Sequence, residues 1–147
     1  MPQTWGDVHT YDEMGRKLKI NIGGNLMYQT MSYHMDKGHM PYHRVLETIQ
    51  NCEAVCEFTE YSILQMDGSS HRREQLRLLR DCADICTLTA KYIARCSFFA
   101  KSIALLCAQI CEVCGNHCLQ HPDEPSQRCG QICLHCAQEC RAFAMSA

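Results

Sequence analysis

Two stretches of this chain repeat one cysteine spacing: residues 107–118 read CAQICEVCGNHC and residues 129–140 read CGQICLHCAQEC, each a CxxxCxxCxxxC. On an α-helix each residue advances about 100°, so the four cysteines of each stretch fall at roughly 0°, 40°, −20° and 20°. Cys107, Cys111, Cys114 and Cys118 therefore form one narrow stripe, and Cys129, Cys133, Cys136 and Cys140 another. A chain with two such stripes has to bury them against each other or against further helices.

The remaining cysteines extend the pattern. Cys82, Cys86 and Cys96 fall within an arc of about 80° on a preceding helical segment. Cys52 and Cys56 open a thinner stripe that continues through Thr59 and Ile63. Leu78, Ala100, Ile103 and Ile132 lie near these stripes and the Glu, Gln and Arg residues lie away from them, so the thiols are expected to face the core. Cysteine as a mere small hydrophobe does not account for thirteen of them in 147 residues, because Ala, Val or Leu would pack as well without the oxidation hazard. A disulfide framework fits poorly as well. The cysteine count is odd, the start of the chain lacks the pattern of an export signal, and Cβ atoms at i and i+4 of a helix stand about 5–6 Å apart, beyond the reach of a disulfide.

Turn chemistry divides the chain from Tyr42 onward into four helical segments. The first spans about 42–66 and stops at Asp67-Gly68-Ser69-Ser70. The second spans about 71–95 behind Ser70 as a candidate cap. The third spans about 98–120 and is closed by His121-Pro122, and the fourth spans about 125–143 with proline near its first turn. Short connections favour an all-α, antiparallel up-down-up-down four-helix bundle over residues 41–147. Residues 1–40 have no cysteine and carry Met27, Met31, His34, Met35, His39 and Met40; they are expected to form an N-terminal extension, with a short helix over 26–35.

An all-thiolate lining selects soft metals. A thiol that exchanges its proton for Cu(I) leaves the site neutral, so a copper–thiolate array fills an apolar core with little buried charge. Four thiolates around Zn(II) leave a net −2, and no Lys or Arg lies on the stripes to offset it. The expected cargo is therefore multiple Cu(I) ions, at most about thirteen if every thiolate bridges two. A zinc-binding or thiol redox-buffer protein is the alternative. Iron–sulfur electron transfer ranks third, because the CxxC lead and trailing proline of a ferredoxin run are missing. No nucleophile paired with a base and no open metal site marks an enzyme.

The formal net charge of −2 and the interspersed basic residues offer no field for nucleic acid, and no long apolar stretch suits a membrane span. A cytoplasmic location is expected. At the pole shared by the first-to-second and third-to-fourth connections, Met66, His71 and His121 continue the stripes. Thioether and imidazole bind Cu(I) more weakly than thiolate, so these three are candidate gate ligands that pass an ion inward. His117 and His135 fall off the stripes and are expected on the surface.

These motifs, with RDCADIC at Arg80–Cys86, CAQICEVCGNHC at Cys107–Cys118 and CGQICLHCAQECR at Cys129–Arg141, resemble the cytosolic branch of the bacterial cysteine-rich copper storage proteins. The resemblance spans about 42–147. It implies Cu(I) storage in a thiol-lined bundle and a homo-oligomer, commonly a tetramer; the expected partners are copper ions, delivered by a chaperone or small thiol. Only two cysteines on the first helix is sparser than the family pattern, and the first forty residues lie outside it.

Overall fold

A computed structural model of the chain describes residues 40–147 and the backbone of two short strands, β1 (Thr10–Tyr11) and β2 (Lys17–Leu18). The strands pair antiparallel, Thr10 opposite Leu18, within a unit spanning Met1–Lys37, and Gly38–Ala147 forms a second unit. The helix expected over 26–35, with Met27, Met31, His34 and Met35, lies outside the described residues, as does His39.

The second unit consists of α1 (His43–Leu64), α2 (Arg73–Ala94), α3 (Ala100–Cys118) and α4 (Glu124–Met145). Each helix packs on the next and α4 returns to α1, and across the diagonals only core side chains meet among the described residues. This is the expected up-down-up-down bundle, and the short connections produce it by making sequential helices antiparallel neighbours.

Local chemistry sets the helix ends. Gly68 takes a positive φ of 80° beyond the end of α1, a conformation that costs glycine little. A 3₁₀ turn over Ser69–Arg72 then leads into α2. Ser70 therefore does not cap α2: it lies inside that turn, and Arg72 occupies the cap position without a side-chain cap bond. The α2–α3 break, which has neither Gly nor Pro, is a Schellman closure. Ser97 N–H donates to Tyr92 O at 2.9 Å and Cys96 N–H to Ile93 O at 3.0 Å, with Cys96 in the left-handed region at φ 52°. At the start of α4, Asp123 Oδ1 accepts from Ser126 N–H at 3.0 Å, and Pro125 stands in the first turn, where its missing donor costs nothing.

The α3 and α4 helices make the most extensive contact, and two glycines permit it. A Cβ on Gly130 would lie 2.9 Å from Gly115 O and 2.6 Å from Leu119 Cγ, and one on Gly115 would lie 3.0 Å from Gly130 O. The backbones cross where neither helix carries a side chain. That close approach brings the two four-cysteine stripes together.

Candidate metal centre

The bundle axis is made of sulfur. Cys52 and Cys56 of α1, Cys82 and Cys86 of α2, and all eight cysteines of the two repeats are fully buried at 0% exposure, and every cysteine is a free thiol. They alternate with few apolar partners, chiefly Ile49, Ile63, Leu79, Ile93 and Ala104. Cys96 is the exception. Its stripe phase assumed that α2 continues to residue 96, but the helix closes at Ala94, and the left-handed turn leaves the thiol exposed. Cys96 therefore does not line the core.

Two cysteines act as hubs. Cys111 Sγ lies 3.6 Å from Cys82, 3.8 Å from Cys86, 3.8 Å from Cys107 and 3.8 Å from Cys136. Cys133 Sγ lies 3.5 Å from Cys56, 3.8 Å from Cys52, 3.8 Å from Cys129 and 3.9 Å from Cys82. With metal–sulfur bonds of about 2.3 Å, sulfurs on one ion stand about 3.8 Å apart in a tetrahedron and at most about 4.6 Å apart in a line. The thiols are thus already at ligand spacing. They converge in three quartets: Cys52, Cys82, Cys86 and Cys111; Cys52, Cys56, Cys82 and Cys133; and Cys86, Cys107, Cys111 and Cys136. The first quartet shares two sulfurs with each of the others, so the ladder is continuous rather than a set of separate sites.

Hydrogen bonds among the thiols divide their acidities. The neighbouring thiols Cys118, Cys133 and Cys56 hold Cys114 and Cys129 below the ordinary thiol range. Cys118 and Cys133 are pushed up in turn: Cys118 by Cys114 and Cys129 and then by burial, and Cys133 by Cys114 and Cys129 first. Among the described residues no Lys or Arg is buried, so none of them offsets an accumulation of thiolate charge in the core, and a cation has to replace each proton that leaves.

Among the candidate gate residues, His71 and His121 belong to none of the three quartets. Met66 is half-buried and His71 is exposed on the 3₁₀ turn. His121 is half-buried with its ring 5.4 Å from that of His117, and its Nε2 is buried without a partner. Burial, followed by the charges of Arg72 and His117, lowers its pKa. His135 is exposed, as expected of a residue off the stripes, whereas His117 is half-buried against His121.

Polar side chains that the cysteine pattern does not flag occupy the end of the ladder instead. Gln75, 0% exposed, donates from Nε2 to Cys118 Sγ at 3.5 Å and to Ser126 Oγ at 2.8 Å. Arg72 Nη1 donates to Gln75 Oε1 at 2.8 Å, and Arg72 Nη2 to Asp123 Oδ2 at 2.6 Å. Gln75 stands seven residues before Cys82 and Ser126 three before Cys129, so stripe phase alone could have found both. Towards the other end, Thr89 follows Cys86 by three residues on the same stripe, and its buried hydroxyl has no partner. Beyond it, Phe143 packs edge-on against Tyr42 at 4.9 Å.

The family model described as copper storage protein matches residues 38–145. A cysteine-rich protein of Bacillus subtilis, YhjQ, is 37% identical over 99 residues, covering 67% of this chain and 92% of its own length. Among solved structures, the Cu(I)-bound copper storage protein BsCsp3 of Bacillus subtilis is 37% identical with a TM-score of 0.67, covering 69% of this chain and 95% of that one. A cytosolic copper storage protein of Streptomyces lividans, in a structure described as carrying five coppers, is 25% identical with a TM-score of 0.68, covering 71% and 92%. The match spans the helices that carry the twelve buried thiols, and the ladder supplies ligands at metal spacing. On both grounds the chain belongs to the copper storage protein family, whose members store metal rather than catalyse reactions.

Proposed function

We propose that this protein stores Cu(I) in the cytoplasm, with about twelve ions at most held by the buried core thiolates, one per cysteine. The observation that carries the reading is the sharing of sulfurs between quartets. A monovalent ion that accepts two or three bridging thiolates fills such a ladder from end to end and leaves it near neutrality. The Cu(I)-bound state of BsCsp3 supports the oxidation state, and the cytosolic description of the Streptomyces lividans relative supports the location. Within this reading the twelve buried cysteines are the ligands. Met66, His71 and His121 are outer groups that an arriving ion meets first, delivered by a chaperone or small thiol. Residues 1–40 are a separate extension of the 41–147 bundle.

A homo-oligomer, tetrameric as in the family pattern, belongs to the same proposal. Phe98, Phe99, Leu105, Leu106 and Val113 are exposed on and just before α3, with Phe99, Leu106 and Val113 recurring at seven-residue spacing along one face.

One observation favours a second reading. The quartets Cys52, Cys56, Cys82, Cys133 and Cys86, Cys107, Cys111, Cys136 share no residue, so two closed tetrahedral Zn(II) sites would also fit. Serine replacement at the hubs separates the readings. Cys111→Ser and Cys133→Ser should each remove more than one Cu(I) from the protein, counted by copper and protein assay after desalting, while circular dichroism shows the helices retained. Unchanged copper content in both variants, with two Zn(II) bound more tightly than copper by wild-type protein, would establish the zinc reading instead.

A further inference from the structure

The ladder ends differently at its two poles. Towards the pole formed by the start of α1 and the end of α4 it is followed by apolar residues, Ile49, Ile93, Ala104 and Phe143, all buried. At the opposite pole Cys118 accepts from Gln75, and Ser126, bonded to Gln75, stands one helical turn before Cys129; Gln75 and Ser126 are both 0% exposed. Arg72 and Asp123 hold this pair from outside with side chains only 19% and 17% exposed. Arg72 comes from the turn between α1 and α2, and Asp123 from the turn between α3 and α4. Their ion pair therefore ties one connection to the other across the mouth of the bundle.

An ion cannot pass through packed side chains, so one pole has to open for exchange. Opening the apolar pole exposes hydrocarbon to water and releases no polar pair for water to solvate in return. Opening the polar pole releases an ion pair and hydrogen bonds whose groups water solvates in turn. We propose that Arg72, Gln75, Asp123 and Ser126 form a closure over the thiol ladder that sets how fast Cys118 and Cys129 are reached from solvent, and hence how fast metal crosses this pole. Gln75 is the positioning residue: its amide spans Ser126 and Cys118 and fixes the outermost sulfur, while Arg72 holds the amide oxygen. The closure residues are not counted as ligands, so they govern rate and leave capacity to the cysteines. The part concerning metal rests on the copper-storage reading; the part concerning thiol access does not.

The test begins without metal. Reduced full-length protein is pulsed with iodoacetamide and each cysteine's alkylation rate is read by mass spectrometry. In wild type, exposed Cys96 should react at once and the core thiols slowly. Asp123→Asn keeps an acceptor for Ser126 N–H, since Asn caps helices as well as Asp, but removes the charge facing Arg72. Loss of one charge-assisted bond should speed alkylation of Cys118 and Cys129 about tenfold, with Cys107 and Cys140 towards the apolar pole unchanged. Gln75→Leu, which keeps the volume and removes the donor to Cys118, should do the same. Unaltered rates at Cys118 in both folded variants would overturn the closure, and so would equal acceleration of all core thiols, which would indicate general loosening. The second arm follows Cu(I) transfer from the loaded protein to an excess of chelator by stopped-flow. Faster transfer from Asp123→Asn at unchanged copper content supports the closure as a rate control, and an unchanged rate overturns that role. If alkylation shifts as stated but copper does not bind, the storage reading fails and the closure of the thiols stands.

Discussion

At the scale of single residues, position relative to a helix end decides which cysteines matter. Cys96 shares the angular phase of Cys82 and Cys86, yet it lies two residues past the last residue of α2, and the left-handed turn carries its thiol to the surface. Cys96→Gly should leave copper content unchanged and raise stability by about 0.5–1 kcal/mol in chemical denaturation, because glycine adopts that conformation without the Cβ penalty. Asp123 provides a pH test. Burial pushes its carboxyl up, but hydrogen bonds from Ser126 and Arg72 outweigh burial and hold it at about 2, below the ordinary 3.8. The folded state binds this proton less readily than the unfolded state. The stabilisation is therefore complete above about pH 5 and is lost as pH falls from there towards 2. Asp123→Asn should cost about 1–2 kcal/mol at pH 7 and little at pH 2, measured by urea unfolding at both values. The cysteine phase was legible because thiols repeat at helical offsets. Gln75 and Ser126 were legible only in principle, since one buried amide and one buried hydroxyl have no repeat to betray them.

At the scale of helices, sequence punctuation located all four segments, and their ends differ from expectation where turn chemistry is unusual. Gly68, His121-Pro122 and Pro125 are strong signals, and the helices end or begin beside them. The 3₁₀ turn over Ser69–Arg72 displaces the start of α2 from Ser70, and the Schellman closure at Cys96 uses a residue type that sequence reading does not associate with a left-handed turn. The α3–α4 crossing is a tertiary feature: Gly115 and Gly130 read as ordinary helical glycines until the two backbones are brought together. Gly130→Ala should gain about 1 kcal/mol of helix propensity and lose more to overpacking against Gly115 O, for a net loss of about 1–2 kcal/mol in denaturant unfolding. A net gain would show that α3 and α4 can separate without penalty.

At the scale of the whole molecule, the core is built around thiols. Twelve buried thiols take positions that larger apolar side chains hold in an ordinary bundle, and the apolar residues between them are few, so the metal-free core gives up part of the apolar burial that would stabilise it. Loading should raise the thermal midpoint, because an ion that binds only the folded state stabilises it by mass action. Stripping the metal with an anaerobic chelator should lower it again. The most direct test of the central claim is an anaerobic titration of the fully reduced protein with Cu(I) against a competing chelator, following thiolate-to-copper absorption in the ultraviolet, with Zn(II) titrated in parallel. The expected result is saturation at about ten to twelve tightly held Cu(I) ions per chain. Saturation at one or two ions, or Zn(II) held in preference to copper, would contradict it.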